Sequence, residues 1–285
     1  MNSSIISATA LHALLPEKPV ILDCRFALQN PQLGQQQYVQ GHIPGVYYCD
    51  LDQHLSGPRQ AHGGRHPLPD LHTFADTLSG WGITRFSQVV VYDDSRMAFA
   101  ARAWWLLRAM GVNDVAILNG GYSAWTAAGY ELDRRASASR PGKITAPAAW
   151  PDTVNYATVK DFSEQGNATL IDSRETPRYL GYEEPIDPVA GHIPGAINMP
   201  WQQITDAQGF ILPTEAHVQH WSGVDAALPL VVYCGSGVTA CVNLLSLHMA
   251  GRDDVLLYPG SWSDWCSYSD APIATGTTEA LTDSF

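Results

Sequence analysis

Short apolar runs punctuate this chain at intervals. Val20-Ile-Leu-Asp23, Val89-Val-Val-Tyr92, Val115-Ala-Ile-Leu118, Thr169-Leu-Ile-Asp172, Leu230-Val-Val-Tyr233 and Val255-Leu-Leu-Tyr258 are rich in β-branched residues and lack polar alternation. Runs of that kind read as strands buried on both faces, the condition of a parallel sheet. Helical stretches, Ala98 to Met110 and Val238 to Met249, sit between the last two runs of each half. There Trp104, Leu107 and Arg108, and likewise Val242, Leu245 and Ser246, recur at i, i+3 and i+4. Ile5, Ile6, Leu11, Leu14 and Leu15 predict an amphipathic first helix. Strand, helix and strand at this spacing predict an α/β fold whose mostly parallel sheets are flanked by helices.

The chain also repeats itself. Gly41-His-Ile-Pro-Gly45 returns as Gly191-His-Ile-Pro-Gly195, Asp23-Cys-Arg25 as Asp172-Ser-Arg174, Val90-Val-Tyr92 as Val231-Val-Tyr233, and Gly121-Tyr-Ser-Ala-Trp125 in outline as Gly260-Ser-Trp-Ser-Asp-Trp265. The order is the same in both halves, which predicts two homologous domains. Between them Arg135 to Lys143 and Ala146 to Pro151 are dominated by Ser, Ala, Pro and Gly without periodicity, as in a linker. The expected division is 1–140, linker 141–152, and 153–285.

Composition narrows the function. The formal net charge of −12, with no basic run or stripe, argues against nucleic acid or an anionic membrane surface as partner. No apolar run reaches the roughly 20 residues that span a bilayer. The first residues lack the basic and apolar regions of a secretory signal, so the expected location is the cytoplasm. Five cysteines, an odd number without a C-x-x-C pair, fit neither a disulfide framework nor a zinc knuckle.

Ligands of open α/β sheets bind beyond the carboxyl ends of the strands. One such exit reads Tyr233-Cys234-Gly235-Ser236-Gly237-Val238-Thr239-Ala240. Gly235 and Gly237 permit backbone conformations that curl successive N–H groups into an anion nest, and the following helix adds its positive end. A buried core cysteine needs no such turn, so Cys234 is the candidate nucleophile, its thiolate or persulfide being the anion held. Aligned to the second copy, Asp93 takes the place of Cys234, within one residue; an acid is no substitute for a thiol nucleophile, and the N-terminal domain is expected to be catalytically inactive.

At these residues the chain resembles the two-domain rhodanese-type sulfurtransferases over nearly its whole length. Cys234-Gly-Ser-Gly-Val-Thr-Ala240 is similar to the active-site loop of the 3-mercaptopyruvate branch; the thiosulfate branch carries basic residues directly after the Cys, where this chain has Gly235 and Ser236. Asp172-Ser-Arg174, Arg178-Tyr-Leu-Gly181, Gly191-His-Ile-Pro-Gly195 and Gly260-Ser-Trp262 also match. The resemblance implies two rhodanese-like domains. It also implies transfer of a sulfane sulfur from 3-mercaptopyruvate to a thiol, thioredoxin-like or cyanide acceptor through a Cys234 persulfide, without cofactor or metal. Thiosulfate is the alternative donor, and a non-catalytic sulfur carrier the alternative class. Cysteine-dependent phosphatases look alike but place an Arg six residues after the Cys, where this chain has Ala240.

The resemblance further implies that Arg178 contacts the substrate anion, a task suited to a forked guanidinium; a surface pair with Glu183 or Glu184 is the competing role. Arg174 is a substrate candidate too, although Arg25 holds the same place in the other half, as a structural ion pair would. With Gly235, Gly237 and Val238 forming the loop, the Ser236 and Thr239 hydroxyls suit hydrogen bonds to substrate or persulfide, or a cap on the helix. Asp52 and His66 resemble the residues that complete a Ser-His-Asp set with Ser236. His54, His62 and His66 cluster in sequence, but no Cys or carboxylate completes metal-ligand spacing. Cys241 reads as a core thiol before a redox partner. A monomer is expected.

Overall fold

A computed structural model describes residues 3–139, 141–225 and 227–277. Arg140 and the outer ends of the two expected domains, 1–2 and 278–285, lie outside the described residues. The chain forms two compact units: Met1–Gly57 with Leu68–Pro151 and Thr205–Leu212, and Pro58–Pro67 with Asp152–Ile204 and Pro213–Phe285. Each unit thus takes one short segment from the other half of the sequence.

The first unit holds β1 (Ile5–Ile6), β2 (Val20–Asp23), β3 (Val46–Tyr48), β4 (Gln88–Tyr92) and β5 (Asp114–Leu118) in the order β1-β5-β4-β2-β3. The second holds β6 (Thr169–Asp172), β7 (Ile197–Asn198), β8 (Leu230–Tyr233) and β9 (Val255–Leu257) in the order β7-β6-β8-β9. Every pairing is parallel. All six apolar runs are strands, and β2, β6 and β8 are buried along their whole length. Helices cover the sheets, as parallel crossovers require.

Ile5 and Ile6 depart from the expected helix. They are extended and pair with Ile117 and Leu118, and the helix starts only at Ala8–Leu14. The Ser7 side chain accepts from the Ala10 N–H at 3.1 Å, an N-cap that fixes the helix start. Two β-branched residues ahead of that cap are better used completing a sheet edge.

The helices Ala100–Ala109 and Ala240–Met249 follow β4 and β8. The i, i+3, i+4 spacing marks one apolar stripe, yet in the second of them Ala240 through Leu247 are all buried. Burial all round obliges the polar members to find partners. Asn243 Nδ2 donates to Ser173 Oγ at 2.9 Å and to the Met199 carbonyl at 2.7 Å, and Ser246 Oγ accepts from the Trp221 indole at 2.8 Å.

The repeated motifs have repeated structural reasons. Asp172 ends β6 and accepts both Arg174 Nε, at 3.1 Å, and Nη2, at 2.6 Å. Arg174 Nη2 also reaches the Gly191 carbonyl at 2.5 Å, and the guanidinium lies 4.5 Å from the Trp262 ring centroid. Asp23, Arg25, Gly41 and Tyr122 repeat this set in the first unit. Burial works against the Arg174 charge, but Asp172 more than offsets it and holds the guanidinium above its ordinary range. In Gly-His-Ile-Pro-Gly the histidines stack on tyrosines, His42 on Tyr38 and His192 on Tyr179, while Gly45 and Gly195 take φ of +80° and +81°.

Replacing Asp172 by Ala strands the Arg174 charge in the core, for an expected loss of about 3–5 kcal/mol. Asp172→Ala combined with Arg174→Met is expected to recover most of that loss. Urea denaturation checks both, and a single-variant loss no larger than that of the double variant would show that the pair is not what the second unit rests on.

Candidate active site

Cys234 follows β8 directly and is 1% exposed. Its N–H donates to Ser261 Oγ at 3.1 Å, and Ser261 Oγ donates on to the Tyr258 carbonyl at 2.9 Å. Its carbonyl accepts from the Trp262 N–H at 3.0 Å, and that of Gly235 accepts from the Ser263 N–H at 2.9 Å. The loop is therefore laid against the start of the helix Ser261–Trp265. Gly237 has φ +73°, and a Cβ there would sit 2.3 Å from the Pro259 carbonyl oxygen, so only glycine makes the turn. Val238 is buried behind it. Thr239 is the N-cap residue of Ala240–Met249 but makes no side-chain cap bond. The Cys241 thiol donates to the Gly237 carbonyl at 3.5 Å in the core.

The first unit shows what such a turn does to an anion. Asp23 pairs with Tyr92 and Asp172 with Tyr233, so Asp93 and Cys234 follow equivalent register positions. Asp93 Oδ1 accepts from the N–H groups of Ser95 at 2.8 Å and Met97 at 3.1 Å, and Oδ2 from those of Phe99 and Ala100, both at 2.8 Å. Burial raises the Asp93 pKa and these four bonds oppose the rise. Where a negative group stands at this strand exit, backbone N–H groups close around it.

Two guanidinia meet over Gly235. A Cβ on Gly235 would lie 3.0 Å from Arg65 Nη2 and 3.4 and 3.7 Å from Arg178 Nη2 and Nη1. The absence of a side chain next to Cys234 leaves both arginines room. Arg178, in the helix Thr176–Leu180, donates through Nε to both Glu184 oxygens at 3.0 Å and through Nη2 to Glu184 at 2.7 Å and Asp187 at 3.2 Å. Its Nη1 lies 3.6 Å from Glu175. The competing role expected for Arg178, an ion pair with Glu184, is thus present together with its position over the loop. Arg65 Nη1 pairs with Asp187 Oδ1. Burial lowers the Arg65 pKa to about 10, opposed by Cys234 and assisted by the like charge of Arg178; the group is cationic at neutral pH. Arg65 is not among the residues expected from the sequence, because nothing in Gly64-Arg65-His66 marks an approach to a residue so distant in the chain. Its adjacency to His66 is the one signal that could have found it.

The segment Pro58–Pro67 that carries Arg65 is fixed in the second unit. The Gly63 N–H donates to Asp264 Oδ1 at 2.7 Å and the Arg65 N–H to Ser263 Oγ at 3.0 Å. His66 Nδ1 and Ser236 Oγ share a hydrogen bond of 2.8 Å, and both residues are buried. Asp52, the third member expected from the sequence, belongs to the first unit, where its N–H donates to Asp50 Oδ1 at 2.8 Å. The other histidines of the run have separate partners: His54 Nδ1 accepts from the Asp50 N–H, and His62 Nδ1 bonds Ser267 Oγ. Arg174, also expected at the substrate, is 1% exposed, with its donors on Asp172, Gly191 and, at 3.2 Å, Glu184.

Chemically, the site offers a thiol inside a pinned turn, two cations above it and a hydroxyl–imidazole pair beside it. The chain is similar to proteins named as sulfurtransferases. A protein of Pseudomonas aeruginosa described as a "Probable 3-mercaptopyruvate sulfurtransferase" is 44% identical over 96% of this chain and 99% of its own length. The thiosulfate sulfurtransferase of Cricetulus griseus is 31% identical over 91% of this chain and 88% of its own. The crystal structure of SseA from Escherichia coli, a 3-mercaptopyruvate sulfotransferase with the rhodanese fold, superposes with a TM-score of 0.80 at 32% identity, covering 92% of this chain and 100% of that one. The model of the rhodanese-like domain matches twice, at residues 7–128 and 155–268. With both halves of the chain matched in this way, the protein is a member of the rhodanese-like domain family, carrying that domain in two copies.

Proposed function

We propose that the protein is a sulfurtransferase that takes sulfur from 3-mercaptopyruvate onto Cys234 and passes it to a thiol or to cyanide. The observation that carries this reading is the convergence of Arg65 and Arg178 over Gly235, directly beside the thiol. A small carboxylate held by that pair brings the sulfur of a mercapto-acid toward Cys234, and forked guanidinia suit such an anion. The relatives named for 3-mercaptopyruvate support the same donor.

The cycle is a double displacement. The Cys234 thiolate attacks the donor sulfur and the S–S bond forms as the C–S bond breaks. The electron pair of the broken bond goes to the pyruvate enolate, which then takes a proton at carbon. Ser236, hydrogen-bonded to His66, is assigned the bonding of the developing enolate oxygen and the movement of that proton. The outer sulfur of the persulfide is next attacked by an acceptor thiolate or cyanide, which restores the Cys234 thiolate. Asp93 illustrates the support available to the persulfide anion, since its carboxylate collects four N–H groups at the equivalent exit. Lacking a sulfur atom there, the first unit is assigned no chemistry of its own. Arg174 is assigned to holding the site together and not to binding substrate, because it is 1% exposed and bonded within the core, whereas Arg178 lies over Gly235.

Thiosulfate is the second donor to consider, favoured by the similarity to the thiosulfate enzyme of Cricetulus griseus. Five free cysteines, four of them buried, suit a reducing compartment such as the cytoplasm. Among the described residues no helix is long and apolar enough to cross a membrane.

Incubation with 3-mercaptopyruvate is expected to add one sulfur to Cys234, seen by peptide mass spectrometry and absent from Cys234→Ser; a wild-type chain that gains none is not a sulfurtransferase of this kind. Ser236→Ala and His66→Ala are each expected to lower turnover with 3-mercaptopyruvate by about 100-fold. Their effect on thiosulfate should be much smaller, since sulfite leaves without needing a carbon-bound proton. Equal losses with both donors in steady-state assays would remove the pair from the enolate step.

A further inference from the structure

We infer that Asp187 sets the charge selectivity of this site, favouring singly charged sulfur donors over doubly charged ones. The inference deepens the sulfur-donor reading above and rests on it. Asp187 is 2% exposed in its side chain, and its carboxylate bridges the two arginines that overlie Gly235: Oδ1 pairs with Arg65 Nη1 and Oδ2 lies 3.2 Å from Arg178 Nη2. Its own N–H donates to Glu184 Oε1 at 3.1 Å, which locks the bridge to the carboxylate that holds Arg178 from the other side.

The balance of charge follows. Arg65 and Arg178 contribute two positive charges beside Cys234, and Asp187 and Glu184 take back two. Arg59 adds a positive charge that acts on Arg65, Glu175 adds a negative charge 3.6 Å from Arg178, and Arg174 is matched by Asp172. The face presented to a donor thus has guanidinium N–H groups to bond a carboxylate but no surplus positive charge, in a chain whose formal charge is −12. 3-Mercaptopyruvate brings one negative charge to this face and thiosulfate brings two. Coulomb energy is proportional to the ligand's charge, and the cost of stripping water from an ion rises with its square. A site of bonded but neutralised arginines therefore accepts the monoanion and penalises the dianion. Asp187 thus adds a second determinant of donor preference, remote in sequence from the Gly235-Ser236 step that follows Cys234.

The scaling supplies a test. Asp187→Asn keeps the shape of the bridge and removes one negative charge. If kcat/KM for 3-mercaptopyruvate rises by some factor, that for thiosulfate should rise by about its square, so the thiosulfate to mercaptopyruvate ratio climbs, roughly tenfold at low salt and less as salt screens the site. Glu175→Gln, at a half-exposed position, should move the ratio the same way by a smaller factor, and it serves if Asp187→Asn does not fold. Both variants are compared with wild type by two-donor kinetics across ionic strength, with circular dichroism to verify folding. A ratio that stays constant or falls in folded Asp187→Asn, or in Glu175→Gln where that variant stands in, overturns the proposal. Wild type preferring thiosulfate would instead overturn the donor assignment, because the role of Asp187 is judged on the change in ratio between variants.

Discussion

The buried pair of Asp172 and Arg174 is the anchor on which the second unit's site depends. A guanidinium carried into the core at the end of a strand must be neutralised and have its donors bonded. Here that need is met by Asp172, by the Gly191 carbonyl and by Glu184, while Trp262 lies against the guanidinium face. Glu184 then holds Arg178, Arg178 touches Asp187, and Asp187 pairs with Arg65. Charges of alternating sign thus lead from the sheet to the group above Cys234. In a low-dielectric setting each member fixes its neighbours, and removal of one leaves an uncompensated charge.

The first unit has the same anchor and stops there. Asp23 and Arg25 repeat the carboxylate, the guanidinium and the Gly41 carbonyl, with Tyr92 donating to Asp23 at 2.8 Å. At the strand exit it places Asp93, whose carboxylate accepts four backbone N–H groups. Duplication preserved what the fold requires, namely the ion pair, the stacked histidine and the left-handed glycine of the turn. The two copies differ at the residue on which the proposed chemistry depends.

Much of this was legible in the residues. Each apolar run became a strand because β-branched residues buried on both faces have few alternatives. The Gly-Ser-Gly after Cys234 marked a tight turn, and Gly237 makes that turn against Pro259. Ile5 and Ile6 misled, since five apolar residues near a terminus fit a helical stripe until Ser7 is recognised as a cap. Arg174 was ambiguous for a physical reason: a guanidinium beside an Asp suits a ligand or a lattice of core bonds equally well, and only the partners around it separate the two.

What the sequence by itself determined is therefore the duplicated α/β architecture, the thiol at a strand exit, and the asymmetry between Cys234 and Asp93. Those features are written in local periodicity and in short motifs that fold much the same way wherever they occur. Only the tertiary structure decided that Pro58–Pro67 packs with the second unit, that His66 meets Ser236, and that Arg65 joins Arg178 over Gly235 beneath the bridge of Asp187. Those meetings join residues far apart in the chain through loops without period. Their positions are set by side-chain charges and hydrogen bonds that exist only once the sheet and its turns have formed.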